Sequence, residues 1–274
     1  SIWSAQVLIE NPEVVEQIHY DYIQAGADHI IINNYALTQP ILSRAKLSTK
    51  LEELTLLSIE VAKSAQKRSG KNVRIIGSLP PLETSYQSDL LLDEDQMYKN
   101  YLVISSLLKN NVDIIICETM SSSLESKTAL KAALTTGIET WVSWTLHGNR
   151  ANMLPSGETL SEAFNALTPL KADAYLINCC GANFITAGIV NLRNLTDKPI
   201  GGYGNSVLVK DKTETNKMEI NPRQSQRDAS ETIDEKRYTL EVSKWIDNGA
   251  TIIGGCCFTT PNHIKEIKSL VSTY

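Results

Sequence analysis

The chain has 274 residues, of which 42% are hydrophobic and 21% charged, with a formal net charge of −5. A net negative chain without a long basic cluster is no nucleic-acid scaffold, and no apolar run approaches the roughly 18 residues that span a bilayer. Five cysteines are too few for a disulfide framework and fit reduced thiols, so the expected location is cytoplasmic, and no signal peptide is recognisable at Ser1.

Taken in chain order, short apolar runs alternate with longer amphipathic ones. The helical pattern Pro12–Ala25 carries Val14, Val15, Ile18, Tyr22 and Ile23 on one face, with Pro12 in its first turn. A strand at His29–Asn34 follows, then a helix at Thr49–Lys67. Next come Val73–Leu79 (strand), Asp95–Leu108 (helix), Val112–Glu118 (strand), Ser123–Thr135 (helix), Thr140–Leu146 (strand) and Leu160–Leu167 (helix). The last third reads Ala172–Cys179 (strand), Phe184–Leu195 (helix), Pro199–Tyr203 (strand), Ile233–Asn248 (helix), Ala250–Cys256 (strand) and Pro261–Val271 (helix). Asn110-Asn111 and Asn248-Gly249 read as helix C-caps. Strands apolar on both faces, each followed by a helix, predict a parallel sheet covered on both sides. Seven strands and eight helices, beginning on a helix, fit an α/β (β/α)8 TIM-type barrel whose first strand would precede Ser1. A seven-stranded open doubly wound sheet is the rival, but no Gly-x-Gly-x-x-Gly follows a first strand. The expectation is a single barrel domain over 1–274, with a long polar loop at about 208–237. Its charged part, Lys210 to Arg237, is expected on the barrel's active face, either disordered in the free protein or acting as a lid.

Chemistry concentrates at strand ends. Cys179-Cys180 and Cys256-Cys257 close two predicted strands, so four of the five cysteines gather there. Buried cysteines can be mere small hydrophobes, but two pairs at two strand ends point to a soft metal, zinc above others. Neighbouring residues on a strand face opposite ways, so Cys256 and Cys257 can share one metal only if the backbone turns, for which Gly254 and Gly255 would give freedom. Glu118 ends its strand, where it could grip an ammonium group or cap the next helix, and Cys117 beside it is expected to pack. Asn205 follows glycines that would let a ligand approach the backbone. The four histidines form no ligand set, and His147 is expected in a surface loop.

Several ordered segments together resemble the homocysteine S-methyltransferase family over nearly the whole chain. They are Trp3-Ser4-Ala5, Pro12–Val15, His19–Ile23, Ala25–Asp28, Asn33-Asn34-Tyr35, Gly77–Pro81, Glu118-Thr119, Asn178-Cys179, Tyr203-Gly204-Asn205, Gly254–Cys257, Pro261 and His263-Ile264. The resemblance implies a (β/α)8 barrel with Zn(2+) held by Cys179, Cys256 and Cys257, and it selects Cys179 over Cys180. It implies that Glu118 holds the substrate amino group, with Asn205 and Asn33 also in the substrate site. Homocysteine's thiol would take the open metal position and attack the methyl group of a second small molecule, giving methionine. S-methylmethionine, S-adenosylmethionine, betaine and methylfolate all remain as donors, and no oligomeric state is implied. Three positions depart from the family. Its opening Asp-Gly-Gly strand has no counterpart after Ser1, Ile31 and Ile32 stand where threonines are usual, and Phe258 replaces an arginine. These departures keep open a zinc-binding relative with altered or lost methyltransferase activity.

Overall fold

The computed structural model describes residue 2 and residues 4–212 and 230–274. Chain order begins with α1 (Ser4–Glu10), α2 (Pro12–Ala25) and β1 (His29–Ile31), then α3 (Gln39–Arg44) and α4 (Leu51–Ser69). Next come β2 (Arg74–Leu79), α5 (Glu94–Leu108), β3 (Ile114–Met120), α6 (Ser123–Leu134), β4 (Glu139–Trp144) and α7 (Leu160–Ala166). There follow β5 (Ala174–Gly181), α8 (Ala182–Leu195), β6 (Ile200–Asn205), β7 (Val207–Val209) and β8 (Ser230–Thr232). The chain closes with α9 (Glu235–Asp247), β9 (Ile252–Gly255) and α10 (Pro261–Val271).

The main sheet has seven strands in the order β1-β2-β3-β4-β5-β6-β9, every pair parallel. It curls into a half-barrel of the TIM type. Strand alternation decides which side chains go where. Ile114 and Ile116 of β3, Trp141 of β4, and Ala174 and Leu176 of β5 form the interior cluster. Ile115, Cys117, Tyr175 and Ile177, one residue out of phase, pack outward beneath the helices in the main core. Glu118 therefore continues the inward row of β3, while Cys117 is buried among apolar neighbours, which push its thiol far up.

The edge strands β1 and β9 flank an apolar groove of about 670 Å³, lined by Ile31, Ile76 and Ile252 and by Tyr22 of α2 and Ile267 of α10. In a closed eight-stranded barrel the remaining strand stands between these two edges. Tyr22 crosses the region, its hydroxyl donating to the Thr259 carbonyl at 2.9 Å.

The seven expected strands and eight expected helices all form. Asn110, at φ 65, and Gly249, at φ 89, take the left-handed conformations expected of C-cap positions. Two short helices escaped the periodicity, α1 and α3, both packed over a second cluster built from Leu8, Leu37 and Leu42. The polar stretch is shorter than one continuous loop. Ser230–Thr232 pairs antiparallel with Val207–Val209, and α9 begins at Glu235, its end capped by Asp234 accepting from the Arg237 amide at 2.8 Å. The central part of the expected lid, 213–229, lies outside the described residues. No described helix is long and apolar enough to cross a membrane.

Candidate metal centre

The site is made where three strands leave regular pairing. Regular alternation on β5 would send Asn178 and Cys180 inward with Leu176, and Cys179 outward. Instead the register with β6 shifts between Asn178 and Gly181, and Cys179 takes φ 56. That bulge reverses the phase: Cys180 joins the outer core, where burial pushes its thiol up to about 12. Cys179 is left at the barrel mouth.

A matching irregularity sits on β3, whose register with β4 shifts between Cys117 and Met120, with Thr119 at φ 58. The two bulges are tied together by Asn178. Its Oδ1 accepts from the Thr119 amide at 2.9 Å and from Ser143 Oγ at 2.7 Å, and its Nδ2 donates to Thr119 Oγ1 at 2.8 Å. Left-handed backbone at a β-branched residue costs of the order of 1–3 kcal/mol and persists only where its surroundings hold it. Asn178, fully buried, is what holds it here.

Cys256 and Cys257 follow β9. The Cys256 amide continues the ladder to the Gly204 carbonyl at 2.8 Å, and the chain then turns, with the Thr259 amide donating to the Cys256 carbonyl at 3.2 Å. The Cys257 amide donates to Asn205 Oδ1 at 3.1 Å, and its carbonyl accepts from the Ser206 amide at 3.0 Å. The turn thus exists, but not through glycine torsions: the left-handed residue is Phe258, at φ 65. Gly255 is needed for close approach, since a Cβ there would lie 2.5 Å from Thr259 Oγ1. The glycines of β6 likewise admit a protein neighbour rather than a ligand: a Cβ on Gly202 would lie 2.3 Å from Ile185 of α8.

These turns bring the sulfurs of Cys179, Cys256 and Cys257 within 4.8 Å of one another, with Cys179 and Cys257 3.8 Å apart. A tetrahedral metal with bonds of about 2.3 Å to sulfur needs sulfurs about 3.8 Å apart. The spacing is far beyond a disulfide, and all five cysteines are free thiols. Sharing protons within the cluster drives the thiols apart: hydrogen bonding to Cys179, then to Cys256, lowers Cys257 below its ordinary value, while Cys256 is raised by Cys179 and Cys257. Three thiols gathered this closely, one of them readily ionised, fit a soft cation.

Beside the sulfurs lies a buried polar row. Glu118, 6% exposed, accepts from Ser78 Oγ at 2.5 Å and from the Tyr203 hydroxyl at 3.1 Å. Burial raises its pKa, against those two hydrogen bonds, and the nearby Cys257 adds to the rise. Ser78 is fixed in turn by Asn34, which accepts from its amide at 3.1 Å and donates to its carbonyl at 2.8 Å. Asn33 turns the other way, exchanging hydrogen bonds of 2.7 and 3.2 Å with Ser4 of α1. Asn205, as described, serves the Cys257 backbone. Ile31 lies against the interior cluster and Ile32 in the outer core. Phe258 is 71% exposed.

Two residues needed the tertiary structure. His147 is fully buried rather than on a surface loop, because the β4–α7 connection folds back and its amide pairs with Met153. Tyr86, in the β2–α5 connection, reaches Cys179 with its hydroxyl. Only its place after Gly77–Pro81 could have signalled it.

The family model described as homocysteine S-methyltransferase matches residues 1–271. The chain belongs to the homocysteine S-methyltransferase family. Among its relatives, homocysteine S-methyltransferase 1 of Brassica oleracea var. italica is 30% identical, the match covering 97% of this chain and 86% of that protein. Homocysteine S-methyltransferase YbgG of Bacillus subtilis is 27% identical, over 98% of this chain and 87% of that protein. The metallated form of the homocysteine methyltransferase MmuM from Escherichia coli superposes with a TM-score of 0.80 at 24% identity, covering 98% of this chain and 88% of that one, which shows the shared fold. In this homocysteine S-methyltransferase family member the three thiols able to hold a metal stand at one end of the half-barrel, beside Glu118.

Proposed function

We propose that this enzyme transfers a methyl group to the thiol of homocysteine, giving methionine, with zinc held by Cys179, Cys256 and Cys257. The observation that carries the reading is the trio of sulfurs within 4.8 Å of one another, Cys179 and Cys257 at the 3.8 Å a tetrahedral metal needs, in a chain that matches the family over residues 1–271. A zinc ion there would supply Lewis acidity that keeps a bound thiol ionised near neutral pH, where a free thiol, with a pKa of about 8.5, is mostly protonated.

The chain's own residues supply placement. Glu118 offers a buried carboxylate held at both oxygens, by Ser78 and Tyr203, and so is oriented before an amino group arrives. Pairing with an ammonium would offset the desolvation that raises its pKa. Asn205 fixes Cys257 through its amide, and Asn178 fixes the strand end bearing Cys179. Asn33 belongs to this reading only through the anchoring of α1. Rigid placement of a nucleophile against a bound donor is the main catalytic resource for a displacement of this kind. Both substrates are small molecules, and free thiols suit a reducing compartment such as the cytoplasm.

A second reading, altered acceptor use, is favoured by Ile31 and Ile32, which bring no hydroxyl to the mouth, and by a selenocysteine methyltransferase of Astragalus bisulcatus, 27% identical, among the relatives. One assay decides. Zinc-loaded protein is given homocysteine or selenocysteine with S-methylmethionine, S-adenosylmethionine, betaine or methylfolate, and methylated product is measured. Methionine formed with any donor supports the first reading. Product only from selenocysteine supports the second, and no product with any pair rejects both.

A further inference from the structure

We propose that Tyr86 is a positioning residue of the metal centre, its hydroxyl donating to Cys179 Sγ so as to fix that sulfur and draw charge from it. The hydroxyl oxygen lies 2.8 Å from Cys179 Sγ and 2.9 Å from the Cys179 carbonyl oxygen. The hydroxyl donates to the carbonyl, and between hydroxyl and sulfur either atom can be the donor while Cys179 keeps its proton. A thiolate, being charged, is the stronger acceptor and takes the larger share when Cys179 is ionised. The inference rests on the reading of the three thiols as a metal centre.

The placement of Tyr86 is built. Its backbone has φ 67, a rare conformation for a bulky residue that indicates local constraint. The connection that bears it is fastened on both sides before it reaches the sulfur. The Tyr101 hydroxyl donates to the Pro80 carbonyl at 3.0 Å, the Leu82 amide donates to Glu125 Oε1 at 3.2 Å, and Thr38 Oγ1 donates to the Leu82 carbonyl at 2.7 Å. One residue before Tyr86, Ser85 Oγ meets the Tyr35 hydroxyl at 2.6 Å. Cys179 thus gains a donor from β2's connection while its own strand is held by Asn178.

A hydrogen bond to a ligating thiolate lowers the electron density that ligand passes to the metal. The metal then keeps more of its polarising power for whatever occupies its open position. Tyr86 would therefore adjust how readily an incoming thiol ionises, without touching the substrate.

The test uses the full chain and its Tyr86→Phe variant, each loaded with Co(II) as a spectroscopic probe. The variant should bind one equivalent of cobalt per chain but show its thiolate-to-cobalt charge-transfer band at longer wavelength, because a thiolate without its donor is more easily oxidised. Its zinc affinity, measured by competition with a chromophoric chelator, should fall roughly 10-fold. On the zinc forms, the pH at which homocysteine binding is half complete should move upward. Superimposable cobalt spectra together with equal zinc affinities overturn the proposal. A lower melting temperature of the metal-free variant with an unchanged spectrum also overturns it, since the hydroxyl would then serve only the fold. The cobalt measurement needs no amino-acid substrate, so its failure is distinguishable from absence of methyl transfer. A wild-type chain that binds no cobalt removes the metal centre and this inference with it.

Discussion

Cys257 is the most accessible of the three thiols, yet it is fixed twice through its backbone, by Asn205 and Ser206. Cys257→Ala leaves those bonds in place and removes only a ligand. Elemental analysis of the variant, purified without added metal, should show most of the zinc lost while wild type carries about one equivalent. Retention of full zinc would contradict the ligand set. Glu118 needs a gentler substitution. Alanine would strand the Ser78 and Tyr203 hydroxyls in a buried place, whereas Glu118→Gln keeps an acceptor and removes the charge. Losing one partner of a buried charge pair costs about 2–5 kcal/mol. Calorimetry should accordingly show homocysteine binding weakened by at least 10-fold with zinc content unchanged, and equal affinity would make Glu118 structural.

At the scale of elements, the connection from β2 to α5 is controlled by a buried acid on α6. Glu125 Oε1 accepts from both the Leu82 amide and the Tyr101 hydroxyl. Burial raises its pKa from 4.5 to about 7, outweighing those two bonds. Because the folded state holds this proton more tightly than the unfolded chain, the stabilisation is complete below about pH 4.5. It is lost as pH rises towards 7. Glu125→Gln keeps Oε1 for both donors and has no proton to lose. In denaturant titrations the variant should gain on wild type by about 3 kcal/mol at pH 8 and by nothing at pH 4. An equal difference at both pH values would show that ionisation of Glu125 is not what matters. The bulges of β3 and β5 belong to the same scale, since each turns one side chain into the site by breaking the pairing of a whole strand end.

For the whole molecule, the three thiols stand on a core that is complete without them. The interior cluster and the outer core are apolar and continuous along the sheet. Chelation should therefore leave the far-ultraviolet circular dichroism unchanged. The melting temperature should drop by an amount set by metal concentration over its dissociation constant, and zinc should restore it. Loss of helical signal on chelation would make the metal structural. The half-barrel also divides the site: Cys179 and Glu118 rise from central strands, whereas Cys256 and Cys257 follow β9, an edge strand of the seven.

Hydrophobic patterning alone placed every strand of the main sheet, because a strand buried on both faces must be apolar throughout and the helices between must be amphipathic. The cysteine pairs and the resemblance pointed to the three thiols that the fold gathers, since soft-metal chemistry needs a residue type that is rare elsewhere in the chain. What sequence could not decide was phase. Alternation on β5 sends Cys179 outward, and only the bulge held by Asn178 brings it to the mouth. The torsion that turns Cys257 into the cluster falls on Phe258, not on the glycines before it. Asn33 and Asn34 are chemically alike, and their roles part only because α1 lies on one side of β1 and Ser78 on the other. Tyr86 and His147 carry no local pattern. Their positions follow from where long connections come to rest, which depends on contacts between residues distant in the chain.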